Sequence, residues 1–217
     1  MTTPFYVAPE QMMKDRADYA RKGIARGRSL VAMSYADGVF ICAENPSSTL
    51  HKVSEIYDRI AFAGVGKYNE FDQLRIAGIR HADMKGFTYS REDVEARSLA
   101  NNYAQMLGQS FTHEMKPMEV EILVAEITET PGEEQMFHIL YDGTVMDENK
   151  FVVLGGDSEA IRNRLANTFE DGLSADDALS VARAALAGDD RTIEDPDLEL
   201  AMLDRTRGRR TFTRVDT

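Results

Sequence analysis

The chain opens with the pattern of a polar helix followed at once by that of a tight β-hairpin, and this order limits the folds that the rest of the sequence can adopt. Pro9 stands where a helix accepts proline in its first turn, because the missing N–H would be unpaired there in any case. The apolar side chains that follow recur every three or four residues and form one narrow stripe: Met13, Ala17, Ala20 and Ile24. This spacing predicts a helix over residues 9–27, closed by Gly27 as a left-handed C-terminal cap.

The hairpin is predicted from two apolar runs, residues 29–35 and 39–43, that are joined at Asp37-Gly38. An Asp-Gly pair between two such runs indicates a tight turn, because both central positions of the favoured turn take positive φ. The chain is therefore expected to begin with a long polar helix that runs directly into two antiparallel strands.

The rest of the chain alternates between strand and helix patterns. Further strands are predicted over residues 52–56, 60–65, 120–127, 136–141, 151–154 and 198–203, and helices over 67–84, 90–113, 158–169 and 174–187. Ser90 and Asp93 resemble a capping box for the second of these helices. Residues 205–217 are expected to be a basic, frayed end.

Hairpin-linked strands interrupted by pairs of helices favour antiparallel sheets with helices packed outside. We therefore predict an α+β fold, a four-layer αββα sandwich. The chain has 217 residues, of which 43% are hydrophobic and 29% charged, and this is enough for one domain with a full core. No repeat or linker interrupts it, so residues 1–217 are predicted to form a single domain.

Charge and hydropathy narrow the classes of partner. The net charge of −12 argues against a nucleic-acid partner, since no basic face could easily dominate. No apolar run reaches the length needed to cross a membrane. Residues 1–9 lack the basic region of a signal peptide, and the single cysteine, Cys42, fits a reducing compartment. We expect a cytoplasmic protein.

Six short segments, taken together, resemble one known family. They are PEQ at 9–11, YARKGIARGRS at 19–29, AENP at 43–46, SEIYDR at 54–59, GKYNEF at 66–71 and VEILVAE at 120–126. Each is a weak motif alone, but their order and spacing are similar to those of the bacterial (actinobacterial-type) α subunits of the 20S proteasome core particle. The resemblance covers essentially the whole chain. It implies the N-terminal-nucleophile hydrolase fold, with an added N-terminal helix.

The same resemblance implies that this copy is not a peptidase. Catalytic β subunits of the family use a processed N-terminal threonine with a lysine beside it. Here Arg28 falls near the nucleophile's place, and Ser29, the nearest hydroxyl, lies inside the chain without a free α-amine. Lys52 matches the catalytic lysine and Glu44 an acidic partner, but without a nucleophile they cannot complete a site. We expect no catalytic residue.

Other chemistries find little support in the sequence. The histidines His51, His81, His113 and His138 show no metal-ligand pairing, and no nucleotide-binding glycine loop is present. Cys42 lies in a predicted strand and is expected to be a buried apolar residue rather than a nucleophile. We predict neither a metal nor a cofactor.

Two alternatives differ in class from a non-catalytic α subunit. The first is an active N-terminal-nucleophile amidohydrolase or peptidase, in which removal of Met1 would expose Thr2. Thr2 precedes the first helix, however, far from Lys52 in the expected fold. The second is a stand-alone scaffold ring without proteolysis. Such a ring would not bind a β subunit, whereas an α subunit would.

A docking site follows from the resemblance alone. Proteasome α subunits form a seven-membered ring whose pockets, between neighbouring copies, accept the C-terminal tails of ring-shaped ATPase activators. The pocket residues of the family match Lys52, Gly66 and Arg21 in this sequence. A desolvated lysine ammonium holding a terminal carboxylate would contribute about 1.5–3 kcal/mol. Composition alone would class Lys52 and Arg21 as ordinary surface residues.

A gate is the other implied site. Residues 1–8 contain unusual apolar content for a free end, which on composition alone would be a disordered tail. The resemblance implies that several copies of this segment converge on the ring axis and obstruct the entrance. The predicted gate residues are Thr2, Thr3, Pro4, Phe5, Tyr6, Val7 and Ala8. The implied partners are further copies of this chain, proteasome β subunits and a ring-shaped ATPase; the first helix is a candidate ring contact and helix 67–84 a candidate contact with β.

Overall fold

Two five-stranded antiparallel sheets packed face to face form the centre of the structure. The computed structural model describes residues 8–215. The helices are α1 (Pro9–Ile24), α2 (Tyr68–Thr88), α3 (Ala96–His113), α4 (Ser158–Thr168) and α5 (Ala175–Ala187). The strands are β1 (Leu30–Tyr35), β2 (Gly38–Glu44), β3 (Val53–Tyr57), β4 (Ile60–Gly66), β5 (Val120–Glu126), β6 (Gln135–Ile139), β7 (Val145–Glu148), β8 (Phe151–Leu154), β9 (Leu198–Asp204) and β10 (Phe212–Val215).

The layers follow from the strand order. The first sheet runs β10-β9-β2-β1-β8 and the second β3-β4-β5-β6-β7. Alternate residues of a strand face opposite sides, so in β1 Leu30 and Ala32 pack between the sheets, whereas Val31 and Met33 pack beneath α4 and α5. Helices α2 and α3 cover the second sheet in the same way. The predicted α+β fold with four αββα layers is confirmed.

Helix α1 lies across one end of this sandwich, which we call the α1 end. Its apolar stripe reaches the core between the two sheets, where Ala20 and Ile24 are buried and Ala17 packs against them. The helix contacts β4 and β5, at the end where β4 finishes with Gly66 and β5 begins with Val120. The narrow stripe is thus sufficient to seat an otherwise polar helix.

The predicted end of α1 is wrong, because the helix stops at Ile24 and not at Gly27. Gly27 is not among the glycines with positive φ. It lies instead where the chain passes close to β4, and a Cβ added to it would come within 3.0 Å of the Gly66 nitrogen. Glycine is needed here for close approach of two backbones rather than for a left-handed cap.

The first hairpin is confirmed, but its turn differs from the prediction. Tyr35 pairs with Gly38, so the two central residues are Ala36 and Asp37, and neither has positive φ. The Ala36 N–H donates to the Leu173 carbonyl at 2.8 Å, and the Arg205 N–H donates to the Asp37 carbonyl at 3.0 Å. Tertiary hydrogen bonds therefore shape this loop in place of the local turn preference.

The predicted helix over residues 90–113 begins later than expected. Ser90 accepts the Glu92 N–H at the start of a short 3-10 helix, Arg91–Asp93, and α3 starts only at Ala96. The Ala96 N–H donates to the buried Glu126 carboxylate at 2.7 Å. The proposed capping box is therefore wrong for α3, because a carboxylate from strand β5 satisfies its first turn.

The basic C-terminal stretch is ordered as far as the structure describes it. Residues 205–207 form a short 3-10 helix, and β10 pairs with β9. Arg210 bonds Glu55 at 2.6 Å, and Arg214 donates to the Val53 carbonyl at 2.6 Å. The frayed end predicted for 205–217 is wrong for residues 205–215, since these arginines bind partners on the second sheet; residues 216–217 lie outside the described part. Strands β7 and β10 were not predicted.

The packing of α2 on α3 generates a prediction about two glycines. A Cβ at Gly78 in α2 would overlap the hydroxyl of the buried Tyr103 in α3. We expect Gly78→Ala to lower the free energy of unfolding by about 1–3 kcal/mol through overpacking, as measured by denaturant unfolding of the full chain.

Gly108→Ala in α3 is the matched control. A Cβ there would meet only the Asp142 carbonyl, at 3.5 Å. The same change should therefore raise stability by about 0.5–1 kcal/mol through helix propensity. Equal losses in the two variants would contradict the overpacking explanation.

Candidate functional site

Lys52 stands at the α1 end, immediately before the edge strand β3. Its ammonium donates to the Arg28 carbonyl at 2.6 Å and to the Glu44 carbonyl at 2.9 Å. Within residues 8–215 these are its hydrogen-bond acceptors, so one of the three N–H groups of the ammonium is uncommitted. The side chain is thus held in one place but keeps a donor for a ligand.

Glu44 ends β2 and is the first of two buried carboxylates near Lys52. Arg191 donates to both of its oxygens, at 2.7 and 2.8 Å, and Arg28 Nη1 lies 2.9 Å from Oε1. Burial opposes ionisation of this carboxyl, but the Arg191 hydrogen bonds and the charges of Arg191, Arg28 and Lys52 outweigh burial and lower its pKa. Glu44 is therefore an anion at neutral pH.

Glu199 in β9 is the second buried carboxylate, and it joins the two sheets. It accepts four donors at 2.7–3.1 Å from the surrounding chain: the backbone N–H groups of Lys52 and Val53 and the side chains of Asn45 and Arg214. A carboxylate of the first sheet thereby fixes the backbone of Lys52 at the edge of the second.

The Lys52 ammonium is easier to deprotonate than an ordinary lysine. Burial lowers its pKa to about 8, against the opposing charges of Glu199 and Glu44 and with a further lowering by Arg28. At pH 7 most copies carry the charge, whereas a modest rise in pH removes it. This places a titratable cation at the α1 end.

Gly66 lies beside the same segment that Lys52 contacts. It ends β4 with φ of 111°, and a Cβ there would overlap the Glu119 carbonyl. Gly66 approaches Gly27, and Lys52 binds the carbonyl of Arg28. The linker between α1 and β1 therefore brings Lys52 and Gly66 to one region.

Arg21 is directed elsewhere. Its side chain is 62% exposed, lies 3.3 Å from Asp18 and stacks over the Tyr141 ring at 5.6 Å. Tyr141 follows β6, whereas Lys52 precedes β3, and two strands lie between these positions in the sheet. Three strand spacings correspond to about 14 Å. Within one subunit the structure does not bring Arg21 together with Lys52.

Arg16 anchors α1 and was not identified from the sequence. Its guanidinium donates to the carbonyls of Phe111, Glu114 and Ser110 at 2.6, 2.7 and 3.1 Å. The Ser110 and Phe111 carbonyls lie in the last turn of α3 and the Glu114 carbonyl just follows it. The Ser110 carbonyl also accepts the Glu114 N–H, at 3.2 Å. Carbonyls at a helix end need donors from outside the helix, and Arg16 provides them here. Because the two helices are about a hundred residues apart in sequence, no local pattern signals this contact; Arg191 and Glu199 escaped notice for the same reason.

The remaining candidate residues fall into three places. Ser29 is buried against Gly155, where an added Cβ would lie 2.7 Å from its hydroxyl. Cys42 is buried in β2, and burial raises its pKa to about 12. Of the predicted gate, Ala8 precedes α1 and accepts the Met12 N–H at 3.0 Å; Thr2, Thr3, Pro4, Phe5, Tyr6 and Val7 lie outside the described residues.

The described residues contain neither a metal-binding cluster nor a membrane-spanning helix. Over residues 8–215, no group of three or more His, Cys, Asp or Glu side chains is arranged to hold a metal ion. None of the helices in that range has the length and apolarity required of a membrane span. A cavity of about 900 Å³ lies at the opposite end of the sandwich, lined by Asp58 and Arg91 among others, and no predicted site residue lines it.

Comparison with known proteins assigns the family. The proteasome subunit family profile matches residues 24–194. A proteasome subunit alpha of Acidimicrobium ferrooxidans is 62% identical, over 100% of this chain and 93% of its own length. Those of Xylanimonas cellulosilytica and Sanguibacter keddieii are 54% and 55% identical over 99% of this chain, and 93% and 86% of their lengths are covered. This chain therefore belongs to the proteasome subunit family.

Proposed function

We propose that this chain is the non-catalytic α subunit of a 20S-type proteasome core particle in the cytoplasm. Copies of it form the outer rings, bind β subunits, restrict substrate entry and dock a ring-shaped ATPase. The observation that carries the proposal is the full-length match to α subunits. The commitment of the Lys52 ammonium to two backbone carbonyls supports it.

Among the residues that the structure describes, the surroundings of Lys52 lack the nucleophile that a peptidase of this fold would need. An N-terminal-nucleophile mechanism needs a hydroxyl whose own free amine acts as base. Ser29, next to this site, is peptide-bonded on both sides and buried. The alternative nucleophile, Thr2, precedes a helix of 16 residues, which spans about 24 Å. These features favour a structural subunit over an active hydrolase.

The separation of Arg21 from Lys52 supports a docking pocket shared between neighbours. Lys52 borders β3, an edge strand of the second sheet, and Arg21 leans toward Tyr141, beyond β6. A ring is built by placing one surface of a subunit on a different surface of the next. We infer that such a contact sets Arg21 of one copy beside Lys52 and Gly66 of its neighbour.

The subunit assignment is tested by co-expression with a cognate β subunit. Native mass spectrometry and a fluorogenic peptide assay are applied to the same sample and to this chain alone. We expect stacked rings, with hydrolysis only when β is present. Peptide cleavage by this chain alone would refute the assignment, and rings that never bind β would favour the scaffold alternative.

Tail docking generates a prediction about Lys52 and pH. We expect Lys52→Ala to keep ring assembly but to weaken binding of a peptide with the C-terminal sequence of the cognate ATPase. Because the Lys52 pKa lies at about 8, the wild-type Kd should rise about tenfold between pH 7 and pH 9 as the ammonium loses its proton.

Lys52→Arg is the control, since a guanidinium stays charged over this range. Its Kd should change little with pH when measured by fluorescence anisotropy on the assembled particle. Parallel pH profiles for the wild type and Lys52→Arg would refute the role of the Lys52 ammonium.

The gate is tested by deletion of residues 1–8. We expect faster peptide hydrolysis by the assembled particle, because an obstruction at the entrance is removed, with unchanged labelling of the β active sites by a covalent inhibitor. A Thr2→Ala, Thr3→Ala variant of full length should hydrolyse peptides at least as fast as the wild type. An unchanged rate after deletion would count against gating, and loss of activity in the double variant would revive Thr2 as a nucleophile.

A further inference from the structure

The surroundings of Lys52 carry more positive than negative charge. Two buried carboxylates, Glu44 and Glu199, lie among four cationic side chains. These cations are Arg28, Lys52, Arg191 and Arg214. The charge of Asp157 also acts on Arg191, so the cluster has one surplus positive charge, in a protein whose net charge is −12. An excess of this sign attracts an anion to the α1 end.

Three of these cations are already well bonded. Arg191 donates to both oxygens of Glu44 and to the Leu186 carbonyl. Arg214 donates to Glu199 and to the Val53 carbonyl, and Lys52 donates to two carbonyls. Their donors are largely used within the protein itself.

Arg28 differs from the other cations in this respect. Its side chain is 58% exposed, and its ion contact within the described residues is one nitrogen 2.9 Å from Glu44. A guanidinium has five N–H donors, so most of those on Arg28 face solvent. It is the cation of the cluster with the most capacity for a ligand.

Arg28 and Lys52 are also direct neighbours. The Lys52 ammonium binds the backbone carbonyl of Arg28, and both side chains contact Glu44, one at its carbonyl and the other at its carboxylate. The charge of Arg28 contributes to the lowered pKa of Lys52. Two like charges held this close are stabilised when an anion binds to both.

We propose that Arg28 is a second cationic residue of the tail-docking site, donating to one oxygen of a partner's free C-terminal carboxylate while Lys52 donates to the other. This inference rests on the docking role proposed above. A carboxylate has two oxygens, so one of them can accept from a guanidinium N–H while the other accepts from an ammonium, and both hydrogen bonds are strengthened by charge. The group recognised is the terminal carboxylate itself, so an amidated peptide lacks it.

A purely structural role for Arg28 would be to neutralise Glu44. Arg191 already binds both oxygens of Glu44, at 2.7 and 2.8 Å. Removal of Arg28 therefore leaves this buried carboxylate paired, and the Arg28 carbonyl that accepts Lys52 belongs to the backbone. Arg28→Gln is accordingly expected to fold and assemble.

The test uses assembled core particles and two labelled peptides with the ATPase C-terminal sequence, one ending in a carboxylate and one in an amide. We expect Arg28→Gln to weaken binding of the carboxylate peptide about tenfold and to leave the amide unchanged. Arg209→Gln is the matched control, because Arg209 is 77% exposed beside Asp58 at the opposite end. Equal binding by Arg28→Gln and Arg209→Gln would overturn the inference.

Two further measurements separate this inference from the docking role itself. In Lys52→Ala, a preference for carboxylate over amide should persist, and it should vanish when Arg28→Gln is added. In the wild type at pH 10, Lys52 is mostly neutral but Arg28 is charged, so a residual preference for the carboxylate peptide should remain. This measurement needs no variant, and it therefore tests Arg28 even if Arg28→Gln does not assemble. Loss of that preference in Lys52→Ala and at pH 10 would leave docking intact but refute Arg28; no effect of either residue would refute both.

Discussion

The bonds of Glu199 across the inter-sheet gap are the contact on which the α1 end depends. A buried carboxylate is costly unless every lone pair meets a donor, and here backbone and side-chain donors from both sheets converge on it. The strand β9 that carries it is thereby tied to the start of β3. Lys52 is held at the edge of the second sheet as a consequence, with its ammonium directed at the linker that leaves α1.

Closure of the sandwich by α1 follows from a few contacts rather than a large apolar surface. Ala20 and Ile24 enter the inter-sheet core, and Arg16 completes the C-terminal end of α3. Gly27 allows the chain to pass close to β4. A polar helix can therefore cover an end of the sheets while most of its circumference is left for other contacts, such as those of the proposed ring.

Prediction from the sequence succeeded where periodicity reports burial directly. The alternation of β1 and the stripe of α1 were recovered, as were the helix pairs around the sheets. It failed where a partner distant in sequence overrides a local preference: Glu126 caps α3 in place of Ser90, and Arg205 with Leu173 shapes the first turn. The basic end was misjudged because its arginines find carboxylates and carbonyls on another sheet.

Residue types and short-range order were enough to indicate the layered class, the family resemblance and the candidates Lys52, Gly66 and Arg21. Which of these three residues lie together depends on the packing of the folded chain. The fold places Lys52 and Gly66 beside the same linker, between α1 and β1, and directs Arg21 toward Tyr141. It also surrounds Lys52 with carboxylates and arginines from distant strands, and the resulting burial and charge set its pKa. Such contacts join residues that are far apart along the chain, and for that reason no local pattern encodes them.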